Sequence, residues 1–338
     1  MAGTVLVTGG SGYIAGFLIR LLIERGWTVN TTIRNLAREQ EVRAALGVPA
    51  ERLRFFAADL ERDDGWAEAM AGCSHVAHVA SPFPAEKMPD EALIRPARDG
   101  ALRALRFAKD AGVKRFVLTS SVAAVAYGHE PLNGGLYTEA DWTDVTAPGT
   151  SAYVKSKTIA ERAARDWMKE NGAGMEFCSV NPAAVLGPVM SADFSTSIQL
   201  VQRMLDGSLP GFPRIGFGVV DVRDLAELHL RALETPGLDG ERFIGSGRFM
   251  MMEAGGAILR ARLGEKARKV PKRRIPDFVV RLIGLFDGAV GQIVGELGRV
   301  RATDAGHAER VLGWRTRDEG DSIVDTAESL IERGIVRL

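Results

Sequence analysis

VLVTGGSGYIAG, residues 5–16, joins a short apolar run to what reads as the first turns of a helix, and its glycines decide the fold. Gly9, Gly12 and Ala15 stand at a G-x-x-G-x-x-A spacing directly after the run. Glycine lets the backbone turn tightly and approach a bulky anion, and a helix N-terminus offers unpaired N–H groups at the positive end of its dipole. A strand–turn–helix of this kind is where a pyrophosphate sits. Gly9, Ser11, Gly12, Tyr13 and Ile14 are therefore expected to touch a dinucleotide.

The pattern continues downstream. Apolar runs at 4–9, 28–34, 53–60, 75–80, 115–121 and 176–182 read as strands, with helical periodicity at 15–26 and 36–46 and in most later gaps. Such alternation predicts an α/β fold, a Rossmann-type doubly wound parallel sheet with ligands at the carboxyl ends of its strands. After about residue 182 Gly, Pro, Met and Phe become frequent, as in GSLPGFPRIGFG (207–218) and GSGRFMMMEAGG (245–256). The expected division is a dinucleotide-binding domain over 1–182, with 219–245 returning to it. A smaller, less regular, mostly C-terminal substrate lobe takes 183–218 and 246–338.

Composition excludes several partners. The 43 basic and 43 acidic residues cancel, so no global field attracts nucleic acid or an anionic membrane. The basic run RKVPKRR (268–274) has no interleaved aromatic for base stacking and reads as a solvated loop. The longest apolar stretch, 275–297, is broken by Arg281 and Asp287 and reads as an amphipathic helix too interrupted to span a bilayer. Cys73 and Cys178 share no metal-like spacing and suggest a reducing compartment. With no charged-then-apolar segment ahead of TVLVTGG, the expectation is a cytoplasmic monomer or homodimer acting on a small molecule.

The second strand reports on the dinucleotide. An acid about 20 residues after the glycine turn would hold the ribose hydroxyls of NAD. NTTIRN (30–35) instead ends in Arg34, with Arg38 one helical turn on. A guanidinium pairs bidentately with a 2′-phosphate that an acid would repel, so NADP(H) is expected. Asp59, ending the third strand, is placed to accept from an adenine amino group.

TSAYVKSKTIAER (150–162) sets Tyr153 one helical turn before Lys157, on the same face. A free phenol titrates near pH ~10, and an ammonium within about 4–6 Å favours the phenolate. A carbonyl that takes up hydride needs a proton on its developing alkoxide, which a tuned phenol can give. Ser121, ending RFVLTSS (115–121), is expected to share that oxygen, in preference to Ser120.

Together TGGSGYIAG (8–16), TSSVAAV (119–125), YVKSK (153–157) with Ala160–Glu161, and NPAAVLGP (181–188) resemble the extended short-chain dehydrogenase/reductases. HVASPF (78–83) and VDVRDLAELH (220–229) are similar to the dihydroflavonol 4-reductase and cinnamoyl-CoA reductase-like group of NADPH-dependent aldehyde and ketone reductases. The likeness runs on to ERVLGWRTR (309–317) and DTAESLIERG (325–334). It implies Ser121, Tyr153 and Lys157 as the catalytic set, Tyr153 donating the proton, Ser121 orienting the carbonyl and Lys157 also binding the nicotinamide ribose. It further implies Asp59 and Leu60 at the adenine, Ala80 and Ser81 along the cofactor, and Pro182 to Val185 near the nicotinamide. In the family Gly-Thr-x-Asn often stands where this chain reads GALR (100–103), so Arg103 replaces an asparagine.

His75 and His78 read as satisfied strand histidines, since no Cys or carboxylate cluster joins them as metal ligands would require. His229 reads as packing, and Met250–Met252 as flexible core. Some of Phe83, Trp142, Phe212 and Phe217 are expected to line an apolar substrate cleft. The leading function is hydride transfer from NADPH to an apolar or aromatic aldehyde or ketone. Two others remain open: an NAD-dependent nucleotide-sugar epimerase or dehydratase, which shares the Ser, Tyr and Lys, and a non-catalytic NADP(H)-binding redox sensor.

Overall fold

The computed structural model describes residues 3–82, 89–132, 134–286, 291 and 294–337. Among them ten strands form two sheets: β1 (Thr4–Val7), β2 (Thr28–Ile33), β3 (Leu53–Ala57), β4 (His75–His78), β5 (Arg115–Thr119), β6 (Glu176–Pro182), β7 (Ala184–Leu186), β8 (Gly216–Asp221), β9 (Arg242–Gly245) and β10 (Phe249–Met251). The main sheet runs β3-β2-β1-β4-β5-β6-β9, and every pairing in it is parallel. β5 is buried at all five positions and β6 at all but its first, as helices on both faces require. The strand order turns back between β1 and β4, and a crevice opens at their carboxyl ends.

The helices that position the site are α1 (Tyr13–Glu24), α2 (Glu39–Leu46), α3 (Trp66–Met70), α4 (Asp90–Asp110), α5 (Ala152–Asn171), α6 (Thr196–Asp206), α7 (Val222–Glu234), α8 (Met252–Leu263) and α9 (Asp277–Gly284). On one face of the sheet α4 packs against α5, and small residues on the buried side of α4 (Ala97, Gly100, Ala101, Ala104, Ala108) permit the close approach. On the other face α1 packs against α7. α7 follows β8 directly, capped by the Asp221 carboxylate accepting from Arg223 N at 2.9 Å. The chain then returns to the main sheet as β9. One apolar core of described residues runs from Leu18 and Val29 through Leu225 to Met204, Leu259 and Leu330.

Two stretches read as irregular are ordered. Gly216–Asp221 and Phe249–Met251 join Ala184–Leu186 in a second sheet, order β10-β8-β7, and Met252 opens α8. Strands of three residues leave almost no periodicity, and their partners lie 30 or more positions away, beyond any local pattern. Within the helix expected across 275–297, the described residues form α9 at Asp277–Gly284 and a 3₁₀ turn at Val294–Glu296; residues 287–290 and 292–293 lie outside the described set. No described helix is long and apolar enough to cross a membrane.

Candidate active site

The glycine turn follows β1 at the point where the strand order reverses. Gly9 takes φ +74°, and a Cβ there would lie 3.1 Å from that of Ala80. Gly10, absent from the sequence expectation, is more constrained: a Cβ would lie 2.2 Å from Thr31 Oγ1 of β2. Gly12 N donates to Gly9 O at 2.8 Å and caps α1, leaving that helix's first N–H groups facing the crevice. The turn fits a dinucleotide because glycine alone lets the backbone pack this closely against Ala80 and Thr31 and present its N–H groups at the helix start. Tyr13 lines the same cavity, and its buried hydroxyl has no hydrogen-bond partner among the described residues.

The opposite wall of the turn is fixed by β4. Thr8 Oγ1 accepts from Ala80 N at 2.9 Å and forms a second hydrogen bond with His78 Nδ1, 3.1 Å away. His78 is thus the satisfied strand histidine expected. Burial, assisted by the nearby Lys157, lowers its pKa to about 3, and it stays neutral. Ala80, Ser81, Ser120, Lys157 and Glu161 line one cavity with it.

At the end of β2 Arg34 is exposed and makes no ion pair among the described residues. Arg38 behaves differently: its guanidinium meets Glu41 at 2.8 and 3.1 Å and Asp193 at 2.5 Å. After β3, Asp59 Oδ1 accepts from Glu61 N at 2.9 Å, and its carbonyl accepts from Trp66 Nε1 at 2.9 Å. Arg103 reaches Asp63 at 2.5 Å and also bonds the Leu60 carbonyl. The arginine that replaces the expected asparagine therefore pins the loop carrying Asp59 and Leu60.

Ser121 ends the stretch after β5, and its Oγ accepts from Ala123 N at 3.1 Å. α5 begins at the Ser151 cap and carries Tyr153, Lys157 and Glu161 at four-residue intervals. Ser121 faces the Tyr153 hydroxyl, and Lys157 Nζ lies 5.8 Å from the Tyr153 ring centroid. Burial raises the Tyr153 pKa, the Ser121 contact pulls it down, and burial lowers Lys157 to about 8. The net direction for the phenol is upward, with the Ser121 contact opposing the rise that burial causes.

Beneath this set lies a polar hub that the sequence reading missed. Glu161, fully buried, accepts from Ser120 Oγ (2.6 Å), Asn181 Nδ2 (2.7 Å), Ser179 Oγ (2.9 Å), Arg242 Nε (2.8 Å) and Arg165 Nε (3.2 Å). Burial alone would raise its pKa, but Arg242 and Arg165 bring it down to about 2. The available signal was its place two turns after Tyr153, on the same face.

Pro182 ends β6 opposite Gly245, and Val185 pairs with Val220 in the second sheet, so the chain passes from one sheet to the other between them. Of the aromatics expected in an apolar cleft, Phe212 is wholly buried against Gly256 and belongs to the core. Trp142 is faced by Arg242 at 3.8 Å and Arg162 at 5.0 Å. Phe217 is partly exposed on β8, and Phe83 lies outside the described residues. His229 receives Thr119 Oγ1 at 2.8 Å and caps Leu225 O at 2.8 Å, a packing role as expected.

Known proteins match this architecture. The sequence profile of the NAD dependent epimerase/dehydratase family matches residues 5–244. Cinnamoyl-CoA reductase CAD2 of Medicago truncatula is 39% identical over 247 residues, 71% of this chain and 75% of that one. Yeast methylglyoxal/isovaleraldehyde reductase Gre2, solved with NADPH, superposes with a TM-score of 0.79 at 25% identity, covering 98% of this chain and all of its own. Vestitone reductase from alfalfa gives 0.77 at 26% identity over 99% of this chain and all of its own.

Proposed function

The chain belongs to the NAD dependent epimerase/dehydratase family, the extended short-chain dehydrogenase/reductases, and we propose that it is an NADPH-dependent reductase of carbonyl compounds. The observation that carries this is the placement of Ser121 and Lys157 against Tyr153, beside a glycine turn at the strand reversal. The cofactor is NADP(H): Gly9, Ser11, Gly12, Tyr13 and Ile14 would hold the pyrophosphate, Arg34 and Arg38 the 2′-phosphate, and Asp59 and Leu60 the adenine. Ala80, Ser81, Pro182 and Val185 would flank the nicotinamide end, with Lys157 on its ribose. When bound, it supplies the hydride.

Tyr153 is the proton donor. Its burial-raised pKa keeps the phenol protonated at neutral pH, the form that a reduction consumes. Ser121 Oγ, set against the phenol, would turn its single proton to the carbonyl oxygen and orient it for transfer from Tyr153. Lys157, close to its pKa at working pH, exchanges charge easily in the same cavity. The substrate is an apolar or aromatic aldehyde or ketone, a reading supported by neighbours named as reductases of vestitone and of methylglyoxal or isovaleraldehyde.

The test is loss of NADPH absorbance with purified protein across aryl and aliphatic aldehydes, ketones and diketones, with NADH in parallel. Turnover with NADPH supports the reading. Silence across the panel, with NAD released on denaturation, would replace it with a nucleotide-sugar enzyme.

A further inference from the structure

A second carboxylate reaches into the cofactor cavity from the far side of the chain. The segment between β7 and α6 crosses the mouth of the glycine turn, and the cavity there is lined by Gly10, Gly12, Arg38, Val42, Met190 and Asp193. Met190 rests on α1, where Arg20 donates to its sulfur at 3.6 Å and a Cβ on Gly16 would lie 2.7 Å from its methyl. Three residues on, Asp193 Oδ2 takes Arg38 Nη2 at 2.5 Å. The same nitrogen serves Glu41 Oε1 at 2.8 Å, while Nε serves Oε2 at 3.1 Å. Both nitrogens on the Nε/Nη2 edge of the guanidinium are thus taken by carboxylates, and that edge is one of the two a phosphate could bind bidentately.

We infer that Asp193 is a specificity-determining residue that competes with the cofactor 2′-phosphate for Arg38. The inference rests on the NADPH reading above. Glu41 and Asp193 both hold Arg38, so an arriving 2′-phosphate meets Arg34 alone until a carboxylate gives way. Glu41 sits one turn from Arg38 on the adjoining helix and can follow its side chain. Asp193 belongs to a segment held elsewhere by Met190, so binding must break that pair. NADPH then carries a cost that NADH does not, and NADPH binding releases the Asp193 contact.

Dissociation constants for NADPH and NADH, measured by quenching of protein fluorescence, test this in the wild type, Asp193→Asn, Arg38→Ala and the double variant. Asp193→Asn is expected to tighten NADPH about two- to five-fold, the range for an exposed ion pair, and to leave NADH unchanged. In the Arg38→Ala background the same substitution is expected to do nothing. Equal tightening of both cofactors, or no change in the NADPH constant, overturns the competition while the wild-type preference for NADPH still stands. A wild type that binds NADH as tightly as NADPH overturns the cofactor reading itself, and this inference with it.

Discussion

Asn181 Nδ2 lies 2.7 Å from Glu161 Oε2, and the same nitrogen reaches the Ser121 carbonyl at 3.2 Å. One amide on β6 therefore ties the strand-end serine to the helix that carries Tyr153 and Lys157. Glu161 completes the tie through Ser120, so the relative position of Ser121 and Tyr153 depends on a carboxylate that touches neither.

Glu161→Gln should cost about 3–5 kcal/mol at neutral pH, because Arg242 and Arg165 keep their charge and lose its partner. The wild-type carboxyl titrates at about 2, below its unfolded value near ~4.3, so its contribution is full above pH ~4.3 and fades as pH falls toward about 2. Urea midpoints at pH 7, 5 and 3 check the sign. The gap between wild type and variant should narrow on acidification; a constant gap would contradict the assignment.

Tyr153→Phe should lower kcat by about 10²- to 10⁴-fold and leave the NADPH dissociation constant within about twofold. Ser121→Ala removes both the carbonyl's second donor and the contact that lowers the phenol pKa. Its kcat should fall by about 10²-fold. Stopped-flow turnover and fluorescence titration separate the two quantities, and unchanged turnover in Tyr153→Phe would remove the phenol from the chemistry.

The reduction rate should hold through neutral pH and decline above about 8, where Lys157 loses its proton. The Tyr153 phenol, raised by burial, should still carry its proton there. Lys157→Arg, which stays charged, should shift or remove that basic limb in a kcat/KM profile. A limb that survives unchanged belongs to another group.

Arg34→Ala should weaken NADPH by roughly 10- to 100-fold with NADH unaffected, the loss of a charge-assisted bond to phosphate. Parallel titration of the two cofactors reads this directly.

Gly10→Ala should destabilise the chain by about 1–3 kcal/mol, since the new methyl meets Thr31 Oγ1 at 2.2 Å. Thr31→Ala in the same chain should recover part of that loss, although Thr31 Cβ at 3.1 Å keeps the contact tight. Thermal unfolding of the single and double variants gives the comparison.

The sequence alone determined the parallel sheet, the glycine turn and the Tyr153–Lys157 face, because each is written in local spacing. A tight turn needs glycine where it turns, and a helix places i and i+4 together whatever surrounds it. It also marked Ser121, Arg34 and Asp59 by their places at strand ends. Only the tertiary structure decided what those residues meet. Gly10 is required by Thr31 on the neighbouring strand, Arg103 serves Leu60 and Asp63, and Arg38 answers to Asp193, 155 positions away. Glu161 gathers partners from the residue after β5, from β6 and β9 and from its own helix, and the second sheet pairs strands of three to six residues across long gaps. These are long-range pairings whose energy comes from burial and complementary charge, and neither quantity exists until the chain has folded.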